Sequence, residues 1–350
     1  MSKTLRTALP SFLLGAAATQ WAKAYRAYRR DGRRQTADEL ELVKAVDRGT
    51  YGRHYNERVP TTEEEFEWWG PFHQHRHEMR YDLVADAVRQ HLPSGGRVRD
   101  VGAGAALVGE RVADIDAEYV ALEYSARNVP LAAAKFVGRR HPLAVRFVRG
   151  DAERLPFRDG SFDVVVMSEV IEHLLHPDRS VWEVSRVLKD GGVYVMTTNN
   201  ASEMPCISPL KNPLAWLEKA AGATRPALIS LRPWAWPVSV DADLLPPGAE
   251  RVHLPHTHHI YEETRGLFSA AGLDTFHWSS FEFPPPQSAT DVWLERRGPV
   301  GRRAVDAIER VCRRIPLVNR MGCHLFMQAR KTGRPVAPEP PPGLWPLTAA

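Results

Sequence analysis

Four side chains in this sequence have the types and spacing to handle a cation or a proton. Glu169, Glu172 and His173 follow one another as Glu-x-x-Glu-His, and His259 comes much later, just before Tyr261. Two carboxylates and two imidazoles suit Mg²⁺ or Mn²⁺, an ion that would bind an acceptor hydroxyl and lower its pKa. Without an ion, His173 or His259 is the best general base, because imidazole ordinarily titrates near neutral pH. Glu169 and His173 stand four apart and share a face if the backbone there is helical. A second pair, His73 and His77, has the same spacing. No nearby carboxylate completes a zinc set around it, so a polar surface is the better reading.

Residues that could hold a nucleotide lie upstream. Val98 to Val101 reads as a short buried strand, and Gly102-Ala103-Gly104 follows. Two glycines after a strand let the backbone turn tightly and approach a ligand. A helix is expected from Ala106 to Ala113. Glu123 comes 23 residues after Asp100 and ends a second apolar strand, Tyr119 to Leu122. A carboxylate there suits a ribose diol, since it accepts two hydroxyl hydrogen bonds. Asp151 follows a third strand, Ala144 to Val148, and Ser168 and Glu169 end a fourth, Phe162 to Met167. Gly191-Gly192 turns into a fifth strand, Val193 to Thr197. Strands alternating with helical segments predict a parallel α/β sheet, with ligands beyond the strands' carboxyl ends.

Together these segments resemble a class I S-adenosylmethionine (SAM) methyltransferase, of the group that includes the ubiquinone- and menaquinone-pathway enzymes. The resemblance implies an α/β, Rossmann-like, seven-stranded, mostly parallel sheet with helices on both faces. It also implies an N-terminal helical lid over SAM and substrate, and two insertions. Asp100, Gly102, Ala103, Gly104, Glu123, Tyr124, Asp151, Ala152, Ser168 and Glu169 would then hold SAM. Asp151 would take the adenine amino group and Ala152 would offer a backbone donor. Ala106 stands where a third glycine is usual, which argues against a pyrophosphate-binding dinucleotide site. Glu169, Glu172, His173 and His259 resemble the divalent-metal set of small-RNA 3′-terminal 2′-O-methyltransferases, and a related Glu-x-x-Glu-His occurs in ubiquinone O-methyltransferases. Other relatives carry Glu-His there without metal.

The remaining elements position this core. Residues 1–93 form the helical and lid region, with Tyr51 to Asn56, Trp68-Trp69 and a helix from about Arg76 to His91. The core runs 94–200. A Pro- and Trp-rich stretch, 201–255, reads as a substrate-shaping insertion rather than disorder, because disordered segments are poor in aromatics. The core resumes over 256–283 with a helix from Tyr261 and a strand at Thr275 to Trp278. A second insertion, 284–320, contains a basic helix near Arg302 to Arg314. A last strand lies in 321–332, antiparallel by resemblance, and the Pro-rich tail 333–350 is expected to be disordered.

Composition narrows the function. The net charge is only +4, so no overall field calls for nucleic acid. Cys206, Cys312 and Cys323 are scattered and odd in number, which fits a reducing cytoplasm and no disulfide framework. The apolar stretch Ala8 to Ala18 is too short to cross a bilayer. Trp21 to Arg30 is basic and aromatic, which makes the N-terminal region a candidate peripheral membrane contact, although a packed surface helix is the plainer reading. The leading expectation is a SAM-dependent methyltransferase acting on a hydroxyl of a small-molecule or lipid-like metabolite. An RNA-end 2′-O-methyltransferase is the alternative, and a non-catalytic SAM-binding partner protein is the reading from another class.

Overall fold

Seven strands make the main sheet, and their order explains where a ligand must sit. The computed structural model describes residues 48–62, 64, 71–138, 142–200, 234–235, 238–239, 253–254, 256–283, 294–315, 318–320 and 322–333. In chain order the strands are β1 (Gly96–Val101), β2 (Ala117–Glu123), β3 (Ala144–Arg149), β4 (Phe162–Ser168), β5 (Leu188–Asn199), β6 (Leu273–Phe281) and β7 (His324–Lys331). Their order across the sheet is β6-β7-β5-β4-β1-β2-β3. Strands β1 to β5 pair in parallel, whereas β7 runs antiparallel to both β5 and β6. The chain therefore winds outward from β1 through β2 to β3, then crosses back to β4. The crevice between β1 and β4 is the switch point where open α/β sheets bind ligands. The expected Rossmann-like sheet and its antiparallel last strand are both present.

Both faces of the sheet are covered. Helix α2 (Pro71–His91) and the short α3 (Leu107–Arg111) close one face. Val84, Val88, Val108 and Val112 pack there on Val98, Val164, Val166, Val193 and Val195. Helix α5 (Pro177–Val187) and α6 (Tyr261–Ala270) close the other. Val181, Val184, Val187 and Phe268 meet Val165, Met167, Tyr194 and Met196 there. The near-continuous apolar run of β4 follows from this double cover, since each alternate side chain meets a helix. Helix α1 (Arg48–Glu57) lies across the carboxyl ends of the strands, α4 (Asn128–Ala134) follows β2, and α7 (Pro299–Cys312) packs beside α2.

Several boundaries differ from the sequence expectations. The helix expected at 106–113 shortens to α3, because Ala106 is left-handed at φ 55° and cannot be a helical residue. Strand β6 extends to Leu273 and Phe281, and β7 begins at His324 rather than Met321. Of the 201–255 insertion, Trp234–Ala235 pairs with Thr257–His258, and Val238–Ser239 pairs with His253–Leu254. Its remaining Pro and Trp residues, the N-terminal segment with Trp21 to Arg30, Trp68-Trp69, the side chain of His73, Cys206 and the tail from Arg334 lie outside the described residues.

Candidate functional site

The first half of the site is backbone turned toward the switch point. Gly102 has φ 70°, and a Cβ there would run into the Val170 side chain just past β4. Glycine is thus required both by conformation and by close approach. The amides of Gly102 and Ala103 donate to the Leu122 carbonyl at 2.8 and 3.0 Å, which locks the turn to β2. Glu123 ends β2 and curls over this turn. Its Oε2 accepts the Gly104 amide and its Oε1 the Ser125 amide, both at 2.8 Å. Burial raises its pKa while the amide hydrogen bonds lower it. Each oxygen keeps lone-pair capacity for a further hydroxyl donor.

Asp151 follows β3, and its Oδ1 accepts the Glu153 amide at 2.8 Å. The Arg48 guanidinium forks across Asp151 and Glu153. Arg48 opens α1, so this fork fastens the N-terminal helix over the ends of β2 and β3. Tyr51 donates its hydroxyl to the His173 carbonyl at 3.1 Å. Rings of Tyr51, Tyr55 and Tyr124 sit 4.6 to 6.3 Å apart, an edge-to-face and tilted cluster. The Asn56 side-chain oxygen accepts the Ala126 amide at 2.8 Å. Thr62 Oγ1 accepts the Ala105 amide at 3.2 Å, next to the glycine turn. Helix α1 and the residues that follow it are thus stitched to the ends of β1 through β4.

The second half is built from ionised side chains. Glu169 follows β4 in a left-handed conformation, φ 55°, and Glu282 follows β6 at φ 72°. These two and Ala106 are the non-glycine residues with positive φ among the described residues. Both glutamates grip one imidazole: His324 Nε2 lies 3.2 Å from Glu169 Oε2, and Nδ1 lies 2.6 Å from Glu282 Oε2. Arg76 approaches Glu282 at 3.3 Å. Burial alone would push His324 down, but the two carboxylates outweigh it and raise it to about 10. Burial alone would raise both glutamates, and His324, helped by Arg80 for one and Arg76 for the other, reverses this. Strained non-glycine backbone of this kind costs roughly 1–3 kcal/mol per residue and collects at functional sites.

The four-residue metal set is not assembled. Glu169 pairs with His324, while Glu172 is buried and its Oε2 accepts the Thr198 hydroxyl at 3.0 Å. The His259 ring is turned to the Ile171 carbonyl, and its main chain bridges to Asn199 and Asn200. Among the described residues no three His, Cys, Asp or Glu side chains are placed to hold an ion. The neighbour of His173 is instead His256, with ring centres 4.9 Å apart, and His258 lies 5.5 Å beyond it. Asn199 Nδ2 donates to His256 Nε2 at 2.9 Å. Burial pushes His173 down to about 3 and His259 to about 4, so neither titrates near neutrality.

Other expected cofactor residues divide. Gly102, Ala103, Gly104, Glu123, Tyr124, Asp151 and Glu169 gather at the strand ends. Ser168 Oγ shares a hydrogen bond with Thr197 Oγ1 at 2.9 Å, and Ala152 offers its carbonyl to the Ser180 hydroxyl at 2.9 Å. Asp100 is turned away: it is buried in the sheet and accepts the Tyr119 hydroxyl, and burial raises it to about 7. Residues that sequence reasoning missed are Arg48, Arg76, Arg80, His256, His258, Glu282 and His324. Only the run His256-Thr257-His258-His259 carried a visible signal.

A family model described as a methyltransferase domain matches residues 99–196. A demethylmenaquinone methyltransferase of Renibacterium salmoninarum is 40% identical over 114 residues, 33% of this chain and 45% of the relative. A ubiquinone biosynthesis O-methyltransferase of Cereibacter sphaeroides is 30% identical over 148 residues, 38% of this chain and 59% of the relative. An uncharacterized methyltransferase of Bacillus subtilis, YcgJ, is 27% identical over 190 residues, 49% of this chain and 75% of the relative. The chain thus spans about half the length of the first two relatives. Residues 99–196, which match that methyltransferase-domain model, form the centre of the Rossmann-like seven-stranded sheet.

Proposed function

We propose that the chain is a SAM-dependent methyltransferase that methylates a hydroxyl of a small or lipid-like, ring-bearing metabolite. The observation that carries this reading is Glu123, pre-set by two backbone amides beside the glycine turn at the switch point. That arrangement fits the cofactor. Glu123 would receive the ribose diol, the open Gly102–Gly104 backbone would leave room for close approach, and Asp151 would face the adenine edge. A carboxylate has about four acceptor sites, so Asp151 keeps capacity beside its contacts with Arg48 and Glu153. When bound, SAM supplies an electrophilic methyl group on a sulfonium.

The rest is what the chain does for the acceptor. Tyr51, Tyr55 and Tyr124 offer ring surfaces that suit a planar acceptor and exclude water. Glu169 Oε1 is buried and left without a hydrogen bond of good geometry. It lies on the residue before Val170, whose side chain abuts the glycine turn. We assign it to receive the acceptor's hydroxyl proton. A carboxylate held ionised by His324 is a weak base, and a weak base suffices. The oxygen gains positive character as its bond to carbon forms, so its proton becomes strongly acidic. The relative named a ubiquinone biosynthesis O-methyltransferase supports an oxygen acceptor, while the name of the demethylmenaquinone methyltransferase does not say which atom is methylated.

The test is to incubate the full chain with methyl-labelled SAM and a panel of hydroxylated quinone-type and phenolic acceptors. Label should appear as an aryl or alkyl methyl ether. Cofactor binding by calorimetry with label found only on carbon or nitrogen, or on no acceptor, would overturn the hydroxyl assignment.

A further inference from the structure

Helix α7 presents an outward face that the methyltransferase domain does not use. Its inner side is pinned. Val305 packs with Phe72 and Leu294, Glu309 Oε2 accepts the Phe283 amide at 2.9 Å, and His75 pairs with Asp306 at 2.8 Å. These contacts fix the helix about its axis, so the opposite side must face outward. At about 100° per residue, Val300, Ala307 and Val311 fall in one narrow outward stripe. The tight turn that follows, closed by amides of Arg314 and Ile315 on the Val311 and Cys312 carbonyls, carries Ile315 beside it. Val300 is 66% exposed, Val311 56% and Ile315 44%. Exposed Arg303 and Arg310 form a ridge along one flank of the stripe, and exposed Arg314 continues it.

We propose that this face of α7 docks the protein on an anionic lipid bilayer. Aliphatic side chains beside a guanidinium ridge match the headgroup boundary: the apolar stripe enters it while the arginines meet phosphates. The charge balance fits the same partner. Residues 294–315 hold Arg296, Arg297, Arg302, Arg303, Arg310, Arg313 and Arg314 against Glu295, Asp306 and Glu309. Two of those three carboxylates have partners: Glu309 is buried on the Phe283 amide, and Asp306 pairs with His75 while staying 38% exposed. A single-stranded nucleic acid face would place aromatic rings among the arginines for base stacking, and this stripe has none. Docking would be peripheral, because no helix among the described residues is long and apolar enough to cross a membrane. The inference stands apart from the choice of methyl acceptor.

The test uses the full chain in sedimentation with vesicles of phosphatidylcholine alone, and with roughly one third phosphatidylglycerol added. The protein should pellet with the anionic vesicles only, and about 0.5 M salt should release most of it. Arg303→Glu/Arg310→Glu/Arg314→Glu should cut partitioning by at least about a hundredfold, taking the usual contribution of one arginine near an anionic surface. Val300→Ser/Val311→Ser should weaken it while leaving the salt dependence in place. Circular dichroism and thermal melts should match the parent, because every substituted side chain is exposed. The assignment is overturned if the parent ignores anionic vesicles, or if the folded α7 variants pellet as well as the parent. The second result would move the contact elsewhere, to the N-terminal basic segment for one. Displacement of the parent from vesicles by RNA, with α7 variants losing RNA and not lipid, would also sink it.

Discussion

The two halves of the site use opposite materials. At the ends of β1, β2 and β3, backbone amides and positive-φ glycines do the positioning, and Glu123 and Asp151 are the carboxylates that accept those amides. At the ends of β4, β6 and β7, side chains do it: an imidazolium clamped by two carboxylates on strained, non-glycine backbone. The first device suits a ligand whose shape never changes. The second concentrates charge where the proposed reaction would release a proton, and it depends on residues far apart in the chain. That difference makes the acceptor half the more fragile one and the freer to vary in chemistry.

The comparison breaks most visibly at His324. His324→Ala would leave Glu169 and Glu282 buried without their shared cation, which typically costs about 3–5 kcal/mol. Urea unfolding should show a drop of that size with an unchanged slope. The sign with pH follows from the shifts. His324 is raised from its ordinary 6.5 to about 10, so its stabilisation is complete below pH 6.5 and fades as pH climbs toward 10. Glu169 and Glu282 are held below their ordinary 4.5, so their share fades as pH falls below that value. The gap between parent and His324→Gln should therefore be widest between about pH 4.5 and 6.5 and narrow on both sides. A gap that is flat in pH would mean that the clamp is not ionised.

Glu123→Ala probes the other half. Losing two charge-assisted hydrogen bonds should weaken SAM binding by at least about tenfold in calorimetry. Stability should fall less than in His324→Ala, because two neutral amides rather than two buried carboxylates lose their partner. An unchanged dissociation constant would remove Glu123 from the cofactor site. If both variants lost cofactor affinity equally, the division into two halves would be wrong.

How much of this was readable beforehand follows the same division. The cofactor half is local: a strand, two glycines, and a carboxylate closing the next strand. Its chemistry therefore shows in spacing, and Gly102, Gly104, Glu123 and Asp151 were named from sequence. Asp100 was misassigned because alternation along β1 turns its side chain into the core toward Tyr119. The acceptor half is assembled by topology. Arg76, Glu169, Glu282 and His324 come from four separated segments that meet only because β7 inserts antiparallel between β5 and β6. No periodicity reports such a meeting. The Glu-x-x-Glu-His pattern misled for a related reason: a short 3-10 turn at Ile171–His173 replaces the helix that would have aligned Glu169 with His173.

A smaller effect is expected at the seam between α1 and the sheet. Arg48 fastens α1 to Asp151 and Glu153 and is about one third exposed. Water screens such a fork, so its contribution should sit at the upper end of the surface range, about 1 kcal/mol. Arg48→Ala should therefore speed SAM dissociation about fivefold in stopped flow, and Arg48→Lys should recover only part of this, because lysine cannot bridge two carboxylates in one plane. Slower dissociation, or tighter binding, would show that Arg48 competes with the adenine for Asp151 rather than closing over it.

The smallest expected change is at Ala106, where the cofactor half departs from its own reliance on glycine. Ala106 sits at φ 55°, and left-handed backbone costs an alanine roughly 1–2 kcal/mol. Ala106→Gly would relieve that. It would also remove a fully buried methyl, worth about 0.8 kcal/mol, and free the unfolded chain by about 0.4–1 kcal/mol. The two sides nearly cancel, so the melting midpoint should move by no more than a few degrees and SAM affinity should hold. A clear gain in stability would show that the alanine is tolerated for a reason beyond packing. A clear loss would show that its methyl holds α3 in place, and that even the backbone half of the site leans on one side chain.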